Sequence, residues 1–150
     1  KRDQRFVDLC ADTGKKILDS PEWFGVREIA TITHSLAKLG IKDNDFYDAV
    51  AKDSDRIAKE GSTQALSMLV WAFAKNGHRS DFLFEKVAGE SDTIAKDGNT
   101  QDLSMIVWSF ATIGFKSSVL FGAIASTSAR IAAEGNVQVS ERRELVGEGS

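Results

Sequence analysis

The residues best suited to catalysis or metal binding are few and widely separated in the sequence. The chain holds two histidines, His34 and His78, and a single cysteine, Cys10. None of them has a second His or Cys at metal-ligand spacing, and no histidine lies near Cys10 in sequence to activate its thiol. The acidic run at 43–55 lacks the glycine and the closing glutamate of a calcium-binding loop. We therefore predict no catalytic residue, no metal site and no cofactor, and hence a protein that is not an enzyme.

Side chains suited to binding, by contrast, recur at regular spacing. Gln64, Met68, Trp71 and Lys75 are separated by four, three and four residues, which places them on one face of a helix. Two other segments carry residues at the same relative positions. Together these residues form a candidate binding surface, here called the stripe: Arg27, Thr31, His34, Lys38, Gln64, Met68, Trp71, Lys75, Gln101, Met105 and Trp108.

The stripe has a structural and a functional interpretation. In the first, Trp71 and Trp108 wedge between neighbouring repeats, and Met68 and Met105 fill the gaps beside them. In the second, the same side chains line a groove with aromatic anchors and adaptable methionine contacts. We favour the first, because a residue that recurs in register usually serves packing. Both hold if one edge of a tryptophan ring stays exposed.

The stripe belongs to an internal repeat with a period of 37 residues. Residues 61–97 and 98–134 are identical at 18 of the 37 aligned positions. Residues 24–60 form an earlier copy, which matches 61–97 at 10 positions. A fixed period of this length is typical of solenoids, in which each copy buries its apolar face against the next.

Each copy is predicted to form two helices joined by a short turn. In the first helix, Leu66, Leu69 and Phe73 follow one another at spacings of three and four, which places them on one buried face. Gly77 and Gly114 then supply the left-handed residue that ends such a helix.

Side-chain oxygens and further glycines mark the other helix ends. The predicted N-caps are Asp43, Ser80 and Ser117 for the second helices, and Ser62 and Asn99 for the next first helices. Gly61, Gly98 and Gly135 are predicted to end the second helices in the left-handed conformation. Ser54, Ser91 and Ser128 stand at one position in all copies.

The sequence thus predicts an all-α fold, an α-solenoid of stacked helix–turn–helix repeats with about seven helices. The helices are expected near 4–18, 26–39, 43–59, 63–76, 80–96, 100–113 and 117–134. One domain over 1–150 would comprise a partial repeat (4–23), three repeats (24–60, 61–97 and 98–134) and a polar cap or degenerate repeat (135–150). The stripe would lie on the inner helices and face the concave side of the stack, with the charged second helices outside.

Two segments carry a family resemblance. "VWAFAKNG" (70–77) and "VWSFATIG" (107–114), each preceded by "TQ.LSM", resemble the octotricopeptide repeats of algal and protist organelle proteins. This resemblance covers roughly residues 24–134. It implies a location in a chloroplast or mitochondrion, as a soluble or peripheral protein, and it implies RNA binding that depends on sequence.

Composition and charge bear on the same question. The net charge is −3, and hydrophobic residues make up 42% of the chain, which is ordinary for a globular protein without a strong field for nucleic acid. No apolar run approaches the roughly 18 residues that span a bilayer. Over the predicted inner helices the charges sum to only +1, from three cations and two carboxylates. That is little for a protein that must neutralise phosphates.

Two function hypotheses follow. The first, which the charge count favours, is a protein-interaction module that acts as a scaffold, assembly factor or accessory subunit of an organelle complex such as a ribosome, respiratory complex or photosystem. The second, which the resemblance favours, is an organelle RNA-binding repeat protein acting in RNA processing, stability or translation. The predicted partners are accordingly proteins of a larger complex or single-stranded RNA.

Overall fold

A computed structural model describes residues 4–19 and 24–127, together with Ala129 and Ala132. Within these residues the secondary structure is helical and contains no strand, which confirms the all-α prediction. The helices are α1 (Gln4–Asp19), α2 (Val26–Lys38), α3 (Asn44–Lys52), α4 (Ser54–Glu60), α5 (Thr63–Lys75), α6 (Asp81–Ala88), α7 (Ser91–Asp97) and α8 (Thr100–Ile113). Residues 118–127 are helical again and are called α9.

The first helices of the repeats begin and end as predicted. The Ser62 side chain accepts a hydrogen bond from the Ala65 amide, and Asn99 forms a capping box with Asp102. Such caps satisfy backbone N–H groups that have no partner within the helix. Gly77 and Gly114 have φ angles of 66° and 80°, so both adopt the predicted left-handed conformation. The side-chain caps predicted at Asp43, Ser80 and Ser117 are also present.

The second helices differ from the prediction, because each is broken in the middle. The segments 43–59 and 80–96 were expected to be continuous, and the structure divides them into α3 and α4 and into α6 and α7. Asp53 and Glu90 leave the helical conformation at the breaks, with ψ angles of 16° and 27°. The expectation of about seven helices was therefore too low.

The recurring serines explain where these breaks fall. Ser54 and Ser91 are buried, and each hydroxyl donates a hydrogen bond to the backbone carbonyl three residues earlier, that of Ala51 or Ala88. A buried carbonyl left without a partner at a helix end is costly, and the serine removes this cost. The third serine of the set, Ser128, lies outside the described residues.

The glycines that end the second helices also differ from the prediction, in their backbone conformation. Gly61 and Gly98 are extended, with φ angles of −75° and −74°, so they do not serve as left-handed caps. They are needed for space, because a Cβ atom at Gly98 would lie 2.7 Å from the Ile94 carbonyl oxygen and 2.8 Å from Leu103 Cδ2. Glycine thus lets one inner helix follow closely on the preceding outer one. Gly135 lies outside the described residues.

The helices stack in two layers, as expected for a solenoid. In the inner layer α2 packs on α5 and α5 packs on α8, and these helices begin at equivalent positions, residues 26, 63 and 100. In the outer layer α1 packs on α3, and α3 and α4 pack on α6. The middle inner helix, α5, therefore has the preceding and the following inner helix on its two flanks.

Aromatic side chains join the two layers into a continuous core. Phe73 and Phe110 are fully buried, as predicted. The Tyr47 ring lies 4.9 Å from that of Phe73, and the Phe84 ring lies 4.8 Å from that of Phe110, measured between centroids. Each outer-helix ring thus packs on the inner helix of the following repeat. This packing holds the inner helices, and with them the stripe, in register.

Candidate functional site: the aromatic stripe

The structure brings the whole predicted stripe onto one side of the inner layer, on α2, α5 and α8. None of its eleven residues is fully buried. His34, Met68, Trp71 and Met105 are half-buried, while the other members are exposed: Arg27, Thr31, Lys38, Gln64, Lys75, Gln101 and Trp108. The stripe is therefore accessible as a surface, which a purely internal packing role would not allow.

Three aromatic rings of the stripe form a row across the inner helices. The His34 and Trp71 centroids are 4.7 Å apart, and those of Trp71 and Trp108 are 6.5 Å apart. The rings are tilted by 39° and 34°, within the range of favourable aromatic contacts. They form a row because they occupy one repeat position on helices that pack side by side. We call His34, Trp71 and Trp108 the aromatic row.

The two tryptophans of the stripe differ in burial. Trp71 and Met68 pack against the hydrophobic core, as the structural interpretation expects. Trp108, however, keeps 44% of its surface exposed. The rings of the aromatic row are thus half-buried on α2 and α5 and exposed on α8.

The electrostatics of the stripe differ from the estimate made from sequence. Asp102 is buried, bonds to the Asn99 amide and approaches the Ser67 hydroxyl, so its carboxylate is turned into the stack. Glu28 is the one exposed carboxylate among the inner-helix residues counted above, and three exposed cations accompany it, at Arg27, Lys38 and Lys75. The exposed charges of these helices therefore sum to +2, while the sum over the whole helices stays at +1.

His34 is set up to remain a neutral ring at physiological pH. Partial burial lowers its pKa below the usual 6.5, and the positive charge of Lys38 lowers it further. A neutral imidazole keeps an aromatic face for stacking and one ring nitrogen as a hydrogen-bond acceptor.

A small cleft opens at the N-terminal ends of α2 and α5. It measures about 170 Å³, and its lining includes Arg27, Thr31, Gln64 and Met68 of the stripe. The Thr31 hydroxyl donates to the Arg27 backbone carbonyl oxygen, and Arg27 is exposed. The cleft thus combines a cation, an amide and a thioether beside the aromatic row, a mixture suited to a polar group attached to a flat ring.

Sequence analysis missed a second surface, an apolar groove of about 640 Å³ at the C-terminal end of the stack. It is lined by Thr100, Leu103, Ser104, Val107, Trp108, Ile124 and Ala132. The signal was available, because residues 135–150, which follow in the repeat register, lose the apolar positions of an inner helix.

The remaining residues considered for chemistry have structural roles or lie outside the described side chains. His78 follows α5, and its Nε2 lies 2.9 Å from Asp48 Oδ1. The Asn76 side-chain amide bonds to the Tyr47 hydroxyl, and burial raises the pKa of Tyr47 to about 12. These contacts tie α3 to the end of α5. The Cys10 side chain is not among those described.

The described part of the chain contains neither a metal-binding cluster nor a membrane-spanning helix. No group of three or more His, Cys, Asp or Glu side chains is placed there to hold a metal ion. Nor does any helix among those residues have the length and apolar character to cross a membrane.

Comparison with known proteins adds the decisive observation. Residues 2–139 match the family described as RESC6, RNA-editing substrate-binding complex 6 protein. The chain belongs to this family. No curated protein and no solved structure gives a significant match. The resemblance to octotricopeptide repeats is not confirmed, but the match supports its coarser implication of an RNA-associated helical protein.

The RESC6 match favours the second function hypothesis over the first. The family description names an RNA-editing complex, which agrees with a role in RNA processing and with partners in a larger assembly. A ribosome, respiratory complex or photosystem has no such support.

Proposed function

We propose that this RESC6-family protein acts by binding, without catalysis, and contacts single-stranded RNA through the stripe. The single observation that carries the proposal is the aromatic row, in which three rings lie 4.7 and 6.5 Å apart along one exposed side of the stack. Proteins commonly bind unpaired bases by stacking them on aromatic side chains.

The polar members of the stripe support the same function. Gln64 and Gln101 are exposed at equivalent positions, one turn before each methionine. Their amides can donate to and accept from base edges. Arg27, Lys38 and Lys75 are exposed cations of the stripe, and in this proposal they contact the phosphates.

The modest charge of the stripe determines how strongly the RNA affinity should depend on salt concentration. With three cations, the logarithm of the affinity should fall against the logarithm of salt concentration with a slope of about −2, from about −0.7 per phosphate of a single strand. Affinity should therefore fall roughly 20-fold between 50 and 200 mM salt. The larger contribution is expected from stacking, at about 1–3 kcal/mol per base.

The test is fluorescence anisotropy with a labelled single-stranded RNA of mixed sequence and with its duplex. We expect the single strand to bind more tightly than the duplex, and Trp108→Ala to weaken binding about 5- to 150-fold. Phe82→Ala is the matched control, because Phe82 is a 42% exposed aromatic residue on α6, in the outer layer. It should bind like the unmodified protein.

Two results would contradict the proposal. One is equal RNA binding by the Trp108→Ala and Phe82→Ala variants, which would show that the stripe is not part of the RNA interface. The other is a salt slope far steeper than −2, which would indicate a different surface with more cations. Helical content measured by circular dichroism must be unchanged in both variants.

A protein partner on the stripe remains a second candidate, as first predicted. Met68 and Met105 are half-buried beside the tryptophans, and methionine and tryptophan are enriched in protein interfaces. Met68→Ser combined with Met105→Ser should then weaken partner binding with little dependence on salt. If the double variant loses a protein partner and keeps its affinity for RNA, this candidate replaces the first.

An organelle location also remains a proposal. Of the two organelles that the resemblance implied, we retain the mitochondrion, because the match to an RNA-editing family lends the chloroplast no support. Fractionation of cells that express a tagged full-length protein would test it, and recovery outside the mitochondrial fraction would refute it.

A further inference from the structure

The apolar groove at the C-terminal end of the stack occupies a position that is covered in the earlier repeats. Five of its residues lie on α8, namely Thr100, Leu103, Ser104, Val107 and Trp108. The equivalent residues of α5 are Thr63, Leu66, Ser67, Val70 and Trp71, and the first four are at most 5% exposed. On α8, Leu103 alone is buried, while Val107 and Trp108 are 37% and 44% exposed. The same repeat positions therefore change from interior to surface at α8.

The interface between α5 and α8 shows which occupant these positions accept. The glycine that precedes α8, Gly98, lies so close to Thr63 that an added Cβ would be 3.1 Å from the threonine methyl carbon. Asp102 Oδ1 lies 3.4 Å from Ser67 Oγ, whose hydroxyl donates its hydrogen to the Gln64 carbonyl oxygen at 2.7 Å. Ser109, two turns later, is fully buried. The occupant of the α5 flank is thus a helix with a close glycine, a carboxylate in its first turn and a small residue seven positions further on.

Residues 135–150 do not carry the side chains that such an occupant needs. The repeat register places Arg143 at the position of Ile106 and Gly147 at the position of Phe110. The groove itself contains no charged side chain, so an arginine at the central position would lose its hydration without gaining a partner. The α8 helix of a second copy is also unsuitable, because its matching face is already packed on α5.

We infer that the groove binds an amphipathic helix of a partner protein, and that this helix continues the stack as the next inner helix would. Its contact face resembles that of α8, with small and aliphatic residues and with an acidic residue near its N-terminus that lies beside Ser104, as Asp102 lies beside Ser67. Docking covers Val107 and one side of Trp108, as α8 covers Val70 and part of Trp71. The stripe is thereby prolonged onto the partner.

The inference can be tested with α8 itself as the probe. The peptide has the sequence of residues 98–114, with Trp108→Phe and a short C-terminal lysine tag for solubility. The full chain is titrated with this peptide, and its tryptophan emission is followed. We expect a saturable blue shift, because Trp108 passes from 44% exposure to a half-buried site like that of Trp71.

Matched variants locate the binding to the groove. Val107→Glu should weaken peptide binding about tenfold or more, because it buries an unpaired carboxylate beside the incoming acidic residue. Val119→Glu is the control, since Val119 is 71% exposed on α9 and does not line the groove. It should bind the peptide within about twofold of the unmodified chain. A peptide with Asp102→Lys should bind more weakly than the parent peptide.

Three results would overturn the inference. The first is the absence of a saturable shift, and the second is equal binding by the two glutamate variants. The third is binding that becomes more than about tenfold tighter when residues 135–150 are removed, which would identify that segment as the occupant. Dimerisation that Val107→Glu abolishes would instead identify a second copy, and would equally overturn the proposal.

Discussion

Truncating Phe73 is the sharpest test of how the repeats are held together. The side chain is fully buried in α5, the middle inner helix, and its ring meets those of Tyr47 and His78 edge-on at 4.9 and 5.6 Å. Phe73→Ala removes these contacts and leaves a cavity between two repeats. The expected loss in the free energy of unfolding is about 3–5 kcal/mol.

The assay is urea unfolding followed by far-ultraviolet circular dichroism. With a typical dependence of about 2 kcal/mol per molar urea, the loss lowers the midpoint by about 2 M. Because a domain is stabilised by only about 5–15 kcal/mol, Phe73→Leu is measured as well, as a smaller truncation that keeps the chain folded. Phe82→Ala controls for loss of an aromatic ring and should cost less than about 1 kcal/mol, since Phe82 is 42% exposed.

Hydrogen exchange should also localise the effect. In a stack in which each repeat contacts mainly its neighbours, protection should fall most in α5 and in the helices packed on it. A loss below about 1 kcal/mol for Phe73→Ala, or equal losses for the Phe73 and Phe82 variants, would refute the assigned core.

Two further predictions concern a glycine and a histidine. Gly98→Ala should destabilise the fold by about 1–3 kcal/mol in thermal unfolding, because the new Cβ would meet the Ile94 carbonyl oxygen at 2.7 Å. Gly122→Ala is the control: a Cβ there has nothing within 4 Å and should stabilise helical residues 118–127 by about 0.5–1 kcal/mol. Equal effects of the two substitutions would refute the spatial role of Gly98. Because the pKa of His34 is lowered in the folded state, the unfolded chain binds the proton first as the pH falls. The difference in the free energy of unfolding between the unmodified protein and a His34→Gln variant should therefore be constant above about pH 6.5 and should fall as the pH drops further. A stability difference that rises on acidification would show that the folded state favours the charged ring.

The sequence predicts the inner layer well because the information there is local. The capping residues, the left-handed glycines and the buried face containing Phe73 all follow from the spacing and type of neighbouring residues. The predicted stripe residues share one side of the inner layer for the same reason, since residues at one repeat position fall on one face once equivalent helices lie side by side; their role in binding stays a prediction.

What the sequence did not predict depends on contacts between distant residues. The breaks at Asp53 and Glu90 occur where a buried serine hydroxyl donates a hydrogen bond to a backbone carbonyl. The helix propensities of the residues at these positions do not distinguish a broken helix from a continuous one. The close approach at Gly98 involves Thr63 and Leu103, which lie on two different helices. Nor does the sequence show that Asp102 is buried, so that the carboxylate counted on α8 is not among the exposed charges.

The central claim, that RNA lies on the aromatic row, is tested most directly by ultraviolet crosslinking. Single-stranded RNA is irradiated with the full chain, and the modified residues are mapped by mass spectrometry. The account predicts crosslinks on α5 and α8, at Trp71, Trp108 and the adjacent methionines, that Trp108→Ala reduces and Phe82→Ala leaves unchanged. Crosslinks confined to the outer helices α3, α4, α6 and α7 would contradict it.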